Sequence, residues 1–356
     1  MIQRFILSLI SLALTGVLVL ACQQPNTNNQ TTNPPTTQTI TNSVWLGLVG
    51  DTADVQGVTQ AGTVLMGGST DVDAAMRWML ERAGGGDVVI IRASGSTGYN
   101  NYLFTLGAKV NSVETLLINS RELANNPEIE RRLRNAEMLF IAGGDQANYV
   151  NFWRNTRVHE AINYLANVKK IPIGGTSAGC AILGHLYFSA LEGTIRSEEA
   201  LANPFDQRIT IGRNDFVNMP FLTNTITDTH YDSPERLGRH VTFLARVIRD
   251  TMPNAVIRGI GVEERTAVAI NAEGKATVFG VGSAYFLWQN GLESVPEECV
   301  AGKPLVWNRN NQAVRSYIIS GSQQGNGSFD MTNWSAAHSG GQPGFVSVRS
   351  GQLFRQ

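Results

Sequence analysis

Lys170-Ile-Pro-Ile173-Gly174-Gly175-Thr176-Ser177-Ala178-Gly179-Cys180-Ala181-Ile-Leu-Gly-His-Leu-Tyr-Phe188 is the stretch whose reading decides the fold. A short apolar run predicts a strand, a glycine-rich turn follows, and the apolar residues after Ser177 predict a helix. Gly175-x-Ser177-x-Gly179 fits the nucleophile elbow, in which a serine sits on a sharp strand-to-helix turn. The glycines have a physical reason. The turn strains the backbone at the serine, and neighbouring side chains would block its hydroxyl. The N–H of Ala178, at the predicted helix start, then points at a developing oxyanion. A glycine turn that binds phosphate, or merely joins strand to helix, satisfies the same letters, so the motif needs support from elsewhere in the chain.

Phe140-Ile-Ala-Gly143-Gly144-Asp145-Gln146 supplies it. This second glycine turn also ends a predicted strand, and in a parallel sheet the two turns share one edge. Gly144 offers a second backbone N–H for the oxyanion and Gln146 a side-chain amide for substrate. Neither turn reads GxGxxG and no Walker sequence occurs, so a dinucleotide-binding fold ranks well behind. Further out, Thr63–Met66 and Val88–Arg92 are apolar runs flanked by glycine, as buried parallel strands are. Helical spacing over Asp71–Ala83 separates them. A helix near Pro127–Arg134, a strand over Glu137–Ala142 and a helix from Asn148 to about Val168 complete an alternating order. That order predicts an α/β three-layer sandwich, a mostly parallel sheet with helices on both faces and the chemistry at the strand ends.

A serine nucleophile needs a base. His185 lies on the predicted helix of Ser177, ~12 Å further along its axis. His159 and His240 fall within predicted helices, and His338 lies in a Gly/Ser-rich tail. His230 follows the strand Phe221-Leu-Thr-Asn-Thr-Ile-Thr-Asp228-Thr229, and by elimination it is the base. The acid that orients it stays open among Glu192, Glu198 and Glu199, and Glu263 and Glu264 after Gly259-Ile-Gly-Val262. No CxxC pair, HExxH or EF-hand loop occurs, so neither a metal nor a cofactor is expected.

The N-terminus speaks to location. Arg4 precedes the apolar run Phe5–Leu20, which ends at Ala21-Cys22. This is a secretory signal pattern, and Val19-Leu20-Ala21-Cys22 resembles a bacterial lipobox, which predicts cleavage before Cys22 and acyl chains on it. Residues 1–21 are therefore expected to be a lipoprotein signal peptide. An uncleaved transmembrane anchor is the less favoured alternative. Residues 22–42 carry no charge and little apolar surface, the composition of a flexible tether. A catalytic domain over 43–290 is expected, followed by a β-rich appendage over 291–356 with short aromatic strands. The formal net charge is −1 with no basic stripe, which argues against nucleic acid as a partner. With Cys22 lipidated, Cys180 and Cys299 remain. A disulfide would join them, but Cys180, inside the serine motif, reads as a small buried residue.

Taken together these residues resemble the cyanophycinase branch of the dipeptidase E-like serine peptidases. The resemblance runs from about Thr63 to Trp288. It rests on Gly-Gly-Asp-Gln (143–146), Gly-Thr-Ser-Ala-Gly (175–179), Asp-x-His (228–230) and Gly-Ile-Gly-Val-Glu-Glu (259–264). It implies a fold like class I glutamine amidotransferases and a Ser-His-Glu/Asp triad. The implied substrate is a polymer or dipeptide in which aspartate is joined to another amino acid. Ser177 would be the nucleophile, His230 the base and Glu199 the acid, with Glu264 next and Glu192 third. Gln146, Asp228, Thr229, Arg236 and Arg239 would line the substrate pocket, with the two arginines on one face of a helix. Position 229 is Thr where polymer-cutting members carry glutamine. The implied activity is an exported exopeptidase for β-linked Asp-Arg polymer, and the alternatives are a dipeptidase for short aspartyl peptides and a non-catalytic surface binding protein. The expected partners are a peptide or polymer substrate and a membrane reached through Cys22, with a homodimer allowed for.

Overall fold

Val64 and Met66 turn one way from their strand and Leu65 the other; Val88 and Ile90 likewise oppose Val89 and Ile91. Strands apolar on both sides need cover on both faces, and this alternation feeds two separate cores. The computed structural model describes residues 44–107, 109–232, 235–251 and 254–356. The expected signal peptide, lipid anchor on Cys22 and tether fall outside the described residues. Within the described residues no helix is long and apolar enough to cross a membrane.

The first half of the chain supplies β1 (Trp45–Gly50), β2 (Gly62–Met66), β3 (Asp87–Arg92), β4 (Ser112–Leu117), β5 (Met138–Ile141) and β6 (Pro172–Thr176). Five of them pair in parallel in the order β4-β3-β5-β6-β2, and β1 closes the far edge antiparallel to β4. Met76, Met79 and Leu80 of the helix Asp73–Arg82 cover one face. Ile129 and Leu133 of Pro127–Asn135, with Tyr149 and Trp153 of Gln146–Trp153, cover the other. This is the expected parallel α/β block.

The second half departs from a single sheet. It supplies β7 (Leu186–Phe188), β8 (Ile211–Arg213), β9 (Thr225–Asp228), β10 (Arg258–Val262), β11 (Thr266–Asn271), β12 (Lys275–Gly280) and β13 (Ser283–Gln289). A hairpin of β11 with β12 adds antiparallel to β2 of the first sheet. Strands β7, β9 and β10 pair in parallel in a second sheet, which β13 extends. The last strands are β14 (Val314–Ser320), β15 (Asn326–Asp330), β16 (Gly341–Arg349) and β17 (Gln352–Arg355). Among the described residues this gives one sheet of nine strands and one of eight. The β-rich C-terminal region is present, and its strands are continuous with both sheets: β15 pairs with β12, and β14 pairs with β13.

Two predicted helices depart from their patterns. The span from Asn148 to Val168 breaks at Asn155, which takes a left-handed φ of 57°, and continues as Arg157–Tyr164 and the π-helical turn Leu165–Lys169. The apolar run after Ser177 makes only the single turn Ala178–Ala181 before becoming β7. At Gly184 an added Cβ would lie 2.4 Å from the Leu186 carbonyl oxygen. The chain turns tightly there, and Leu-Tyr-Phe then packs as a pleated strand. His185 consequently does not share a helix with Ser177.

Candidate active site

Ser177 joins β6 to the turn Ala178–Ala181 with φ 51° and ψ −121°, a conformation costly for a residue with a side chain. Its surroundings hold it there. A Cβ on Gly175 would lie 2.5 Å from the carbonyl carbon of Gly179, and one on Gly179 would lie 2.1 Å from the Ile141 carbonyl oxygen. The Ser177 N–H donates to the Met66 carbonyl at 3.1 Å, tying the turn to the neighbouring strand. The hydroxyl is left free of local partners, and Oγ stands 2.8 Å from Nε2 of His230.

The second sheet delivers the histidine. Strands β9 and β10 are parallel with Asp228 opposite Gly261, so the residues just past each strand emerge at the same edge. His230 follows β9 and Glu264 follows β10, and His230 Nδ1 lies 2.6 Å from Glu264 Oε1. A carboxylate on Nδ1 fixes the proton there and leaves Nε2 free to accept the serine proton. The His230 backbone N–H donates to the Gly67 carbonyl at 2.8 Å, and the Glu264 N–H donates to Asp232 Oδ1 at 2.9 Å. Gly68, at φ 102°, faces the imidazole, and a Cβ there would lie 2.4 Å from His230 Nε2. The sequence reading missed the Gly67-Gly68 turn, although a glycine pair ending an apolar strand is the signal used at Gly143-Gly144.

Glu199 is not the partner of His230. It sits in the first turn of the helix Ser197–Ala202, where one carboxylate oxygen accepts from the Arg196 N–H at 2.9 Å and the other from Arg208 at 3.0 Å. Glutamate is at home at that position because it satisfies an otherwise orphaned helix N–H. Glu192 is exposed on a loop. Of the three candidate acids, the structure brings Glu264 alone to the histidine.

Around Ser177 lies a cavity of about 340 Å3 whose walls include Gly144, Gln146, Ala178, Thr229, Arg236 and Arg239. The glycine turns after β5 and β6 adjoin as expected, since a Cβ on Gly143 would lie 3.4 Å from Ser177 Cβ. Gln146 opens the helix Gln146–Trp153, and its amide reaches the Phe188 carbonyl at 3.5 Å. The charged residues differ from expectation. Arg239 grips Asp228 with Nε at 2.8 Å and Nη2 at 2.5 Å, and both side chains are almost wholly buried. Burial opposes the ionised Asp228, but Arg239, joined by His240 and Arg236, holds the carboxyl below its ordinary pKa. Asp228 also accepts from the Thr229 N–H at 2.9 Å, so the pair braces the strand end that carries His230. Arg236 is the more exposed guanidinium. It precedes the helix Leu237–Thr251 rather than sharing a face with Arg239, and Nη1 donates to the Thr229 carbonyl at 2.9 Å.

Cys180 and Cys299 are both free and buried, so no disulfide joins them. Among the described residues no group of His, Cys, Asp or Glu is arranged to hold a metal ion.

The model of the family described as Peptidase family S51 matches residues 92–278. The chain is 26% identical over 206 residues to a cyanophycinase of Nostoc sp. (strain PCC 7120), spanning 58% of this chain and 63% of that one. It is 27% identical over 211 residues to a cyanophycinase of Synechococcus elongatus, spanning 57% and 59%. The chain thus spans less than two thirds of these curated relatives. A crystal structure of a peptidase from an acI-B1 Actinobacterium aligns with a TM-score of 0.47 at 17% identity, covering 65% of this chain and 91% of that one.

Proposed function

The chain belongs to peptidase family S51, and on that premise we propose that it is an exported serine exopeptidase that hydrolyses β-linked Asp-Arg polymer (cyanophycin) to dipeptides. The observation that carries the reading is the continuous chain Ser177 Oγ–His230 Nε2–Glu264 Oε1, at 2.8 and 2.6 Å. His230 takes the Ser177 proton as Oγ attacks the carbonyl of the amide joining one dipeptide unit to the next. The backbone N–H groups of Gly144 and Ala178 receive the oxyanion. On collapse, the C–N bond breaks and His230 hands its proton to the leaving amine. Water then attacks the acyl-serine with His230 again as base, and Ser177 is regenerated. Glu264, in place of Glu199, holds Nδ1–H throughout and stabilises the imidazolium. A three-layer arrangement like that of class I glutamine amidotransferases belongs to the same reading, supported by the parallel block with helices on its faces.

Substrate recognition is assigned to the cavity wall. Arg236 receives the substrate carboxylate, Gln146 and Thr229 contact the unit beside the scissile amide, and the Asp228–Arg239 pair positions the strand end that bears His230. A dipeptidase for short aspartyl peptides is the second reading, favoured by Thr229, whose short side chain supplies no amide to the cavity. Export and a lipid anchor on Cys22 rest on Val19-Leu20-Ala21-Cys22 and the uncharged segment after it. Mass spectrometry of the mature protein should find acyl chains on Cys22, and a mature N-terminus elsewhere would remove the anchor from the proposal.

The deciding measurement is release of β-Asp-Arg from purified cyanophycin. Ser177→Ala and His230→Ala should each lower turnover on the order of 10³-fold or more without unfolding the chain, and the double variant should lose little further. Full turnover in either single variant refutes the mechanism. Faster cleavage of α-aspartyl dipeptides than of polymer transfers the substrate to the second reading.

A further inference from the structure

A second cavity lies one chain segment away from the first. The residues following β7 form the wall between them: Ala190 lines the cavity of Ser177, whereas Ser189 and Leu191 line the neighbour. Ala190 takes a left-handed φ of 51°, so this short connection past the end of β7 turns its residues to different sides and serves both cavities. Their volumes are nearly equal, about 340 and 330 Å3. Both carry arginine and aspartate. Arg236 and Asp145 line the first, where Arg239 is already paired with Asp228, and Arg154, Arg213 and Asp215 line the second.

The groups of the second cavity keep capacity for a ligand. Asp215 accepts from Arg154 Nη1 at 2.7 Å and from the Tyr187 hydroxyl at 2.7 Å, yet its side chain is 43% exposed. Arg213 reaches Asp250 through Nη2 at 2.7 Å, while its Nε is buried without a partner. Leu191, 40% exposed, lines the second cavity beside Ala190 of the first.

We propose that this neighbouring cavity is a second substrate subsite, which seats the adjacent aspartyl-arginine unit of a polymer while one unit lies at Ser177. The inference rests on the polymer-cutting reading above. A repeating chain presents the same guanidinium and the same carboxylate at every unit. Two cavities that each present arginine and aspartate, separated by one short connection, are the receptor that such a chain calls for. Asp215 takes the guanidinium, and Arg154 and Arg213 take the carboxylate, for which a guanidinium fork is well shaped. The Arg154–Asp215 pair is exposed, so opening it to admit a ligand costs little. Once one unit is bound, the next binds intramolecularly, and affinity for polymer rises with no new contact at the reacting carbonyl.

The test uses Arg213→Gln and, because Arg213 also pairs with Asp250, separately Asp215→Asn, which keeps a hydrogen-bond acceptor for Tyr187. Each is assayed on cyanophycin and on the p-nitroanilide of a single β-Asp-Arg unit, which is too short to reach the second cavity. Both variants should raise KM for cyanophycin about 10-fold and leave kcat/KM for the anilide within about 2-fold of wild type. An unchanged KM for cyanophycin overturns the subsite, and so does an equal loss on both substrates, because the second cavity would then not act separately. Wild-type protein that releases no dipeptide from cyanophycin instead overturns the polymer reading, and the subsite with it.

Discussion

The corner that carries Ser177 and the corner that carries His230 are built on different principles. The nucleophile is held by backbone packed on backbone: Gly175 against Gly179, Gly179 against Ile141, and the Ser177 N–H on Met66. Every one of these contacts is local to a strand end or to the strand beside it. The base is held by side chains: Glu264, from the end of the neighbouring strand, on Nδ1, with Asp228 and Arg239 behind the strand and His240 beneath it. A corner made of glycines is written in residue spacing. A corner made of side chains depends on which strands become neighbours, and spacing does not carry that information.

The acid is where this difference has its largest consequence. Glu264→Gln keeps the shape of the side chain but removes its charge and weakens its hold on the Nδ1 proton. Turnover should fall on the order of 10²- to 10⁴-fold, with the folded structure retained. Glu199→Gln removes an exposed helix-start contact and should change turnover by no more than about 2-fold. Steady-state rates of both variants on one substrate decide it. A larger loss at Glu199 would break the comparison, because the base corner would then not be organised by the β9–β10 pairing.

What could be read in advance follows the same line. The parallel block was legible because strands buried on both faces appear as unbroken apolar runs, such as Val88–Ile91. The Ser177 turn was legible because its glycines fall within a few residues of the serine. Glu264 was not, since nothing local distinguishes it from Glu199. The parallel register that sets Asp228 opposite Gly261 selects it. The run Ala181–Phe188 misled for another reason: a continuous apolar stretch has no period, and Gly184 turned a predicted helix into one turn and a strand. The strands after residue 291 were visible as strands, but their pairing with the edges at β12 and β13 is a tertiary choice.

Arginines 236 and 239 sharpen the comparison at the next level of effect. Charge matching alone suggests that both serve the substrate. In the structure Arg239 is buried on Asp228, and Arg239→Ala would strand a carboxylate away from water. Breaking a buried pair in this way costs about 3–5 kcal/mol, so Arg239→Ala should lower the unfolding free energy by that order. Arg236→Ala, at the more exposed guanidinium, should raise KM while stability stays within about 1 kcal/mol. Denaturant unfolding and steady-state kinetics on both variants separate the roles. A stable Arg239→Ala protein with only a raised KM would return that residue to substrate binding.

The smallest effect is a dependence on pH that only the base corner should possess. His240 is fully buried on the helix Leu237–Thr251, where its Nδ1 accepts from the Tyr231 hydroxyl at 3.0 Å and its Nε2–H donates to the Ile226 carbonyl at 3.2 Å. Both ring nitrogens are thus satisfied in the neutral form. A second proton on Nδ1 would break the Tyr231 contact and leave a charge in the core. Burial accordingly lowers the pKa to about 4, and the nearby Asp228 only partly opposes this. The unfolded chain, with a pKa near 6.5, binds more protons than the folded chain between those values. The stability contributed by neutral His240 is therefore present above pH 6.5 and is lost as pH falls toward 4, a loss on the order of 2 kcal/mol by pH 4.5. His240→Gln removes the titration while retaining one donor and one acceptor, so its unfolding free energy should fall less steeply between pH 7 and 4.5. The glycine packing around Ser177 contains nothing that titrates and adds no slope of its own. Unfolding curves for the two proteins at several pH values in that window test the point, and coincident slopes would mean that the base corner is not held by a neutral histidine.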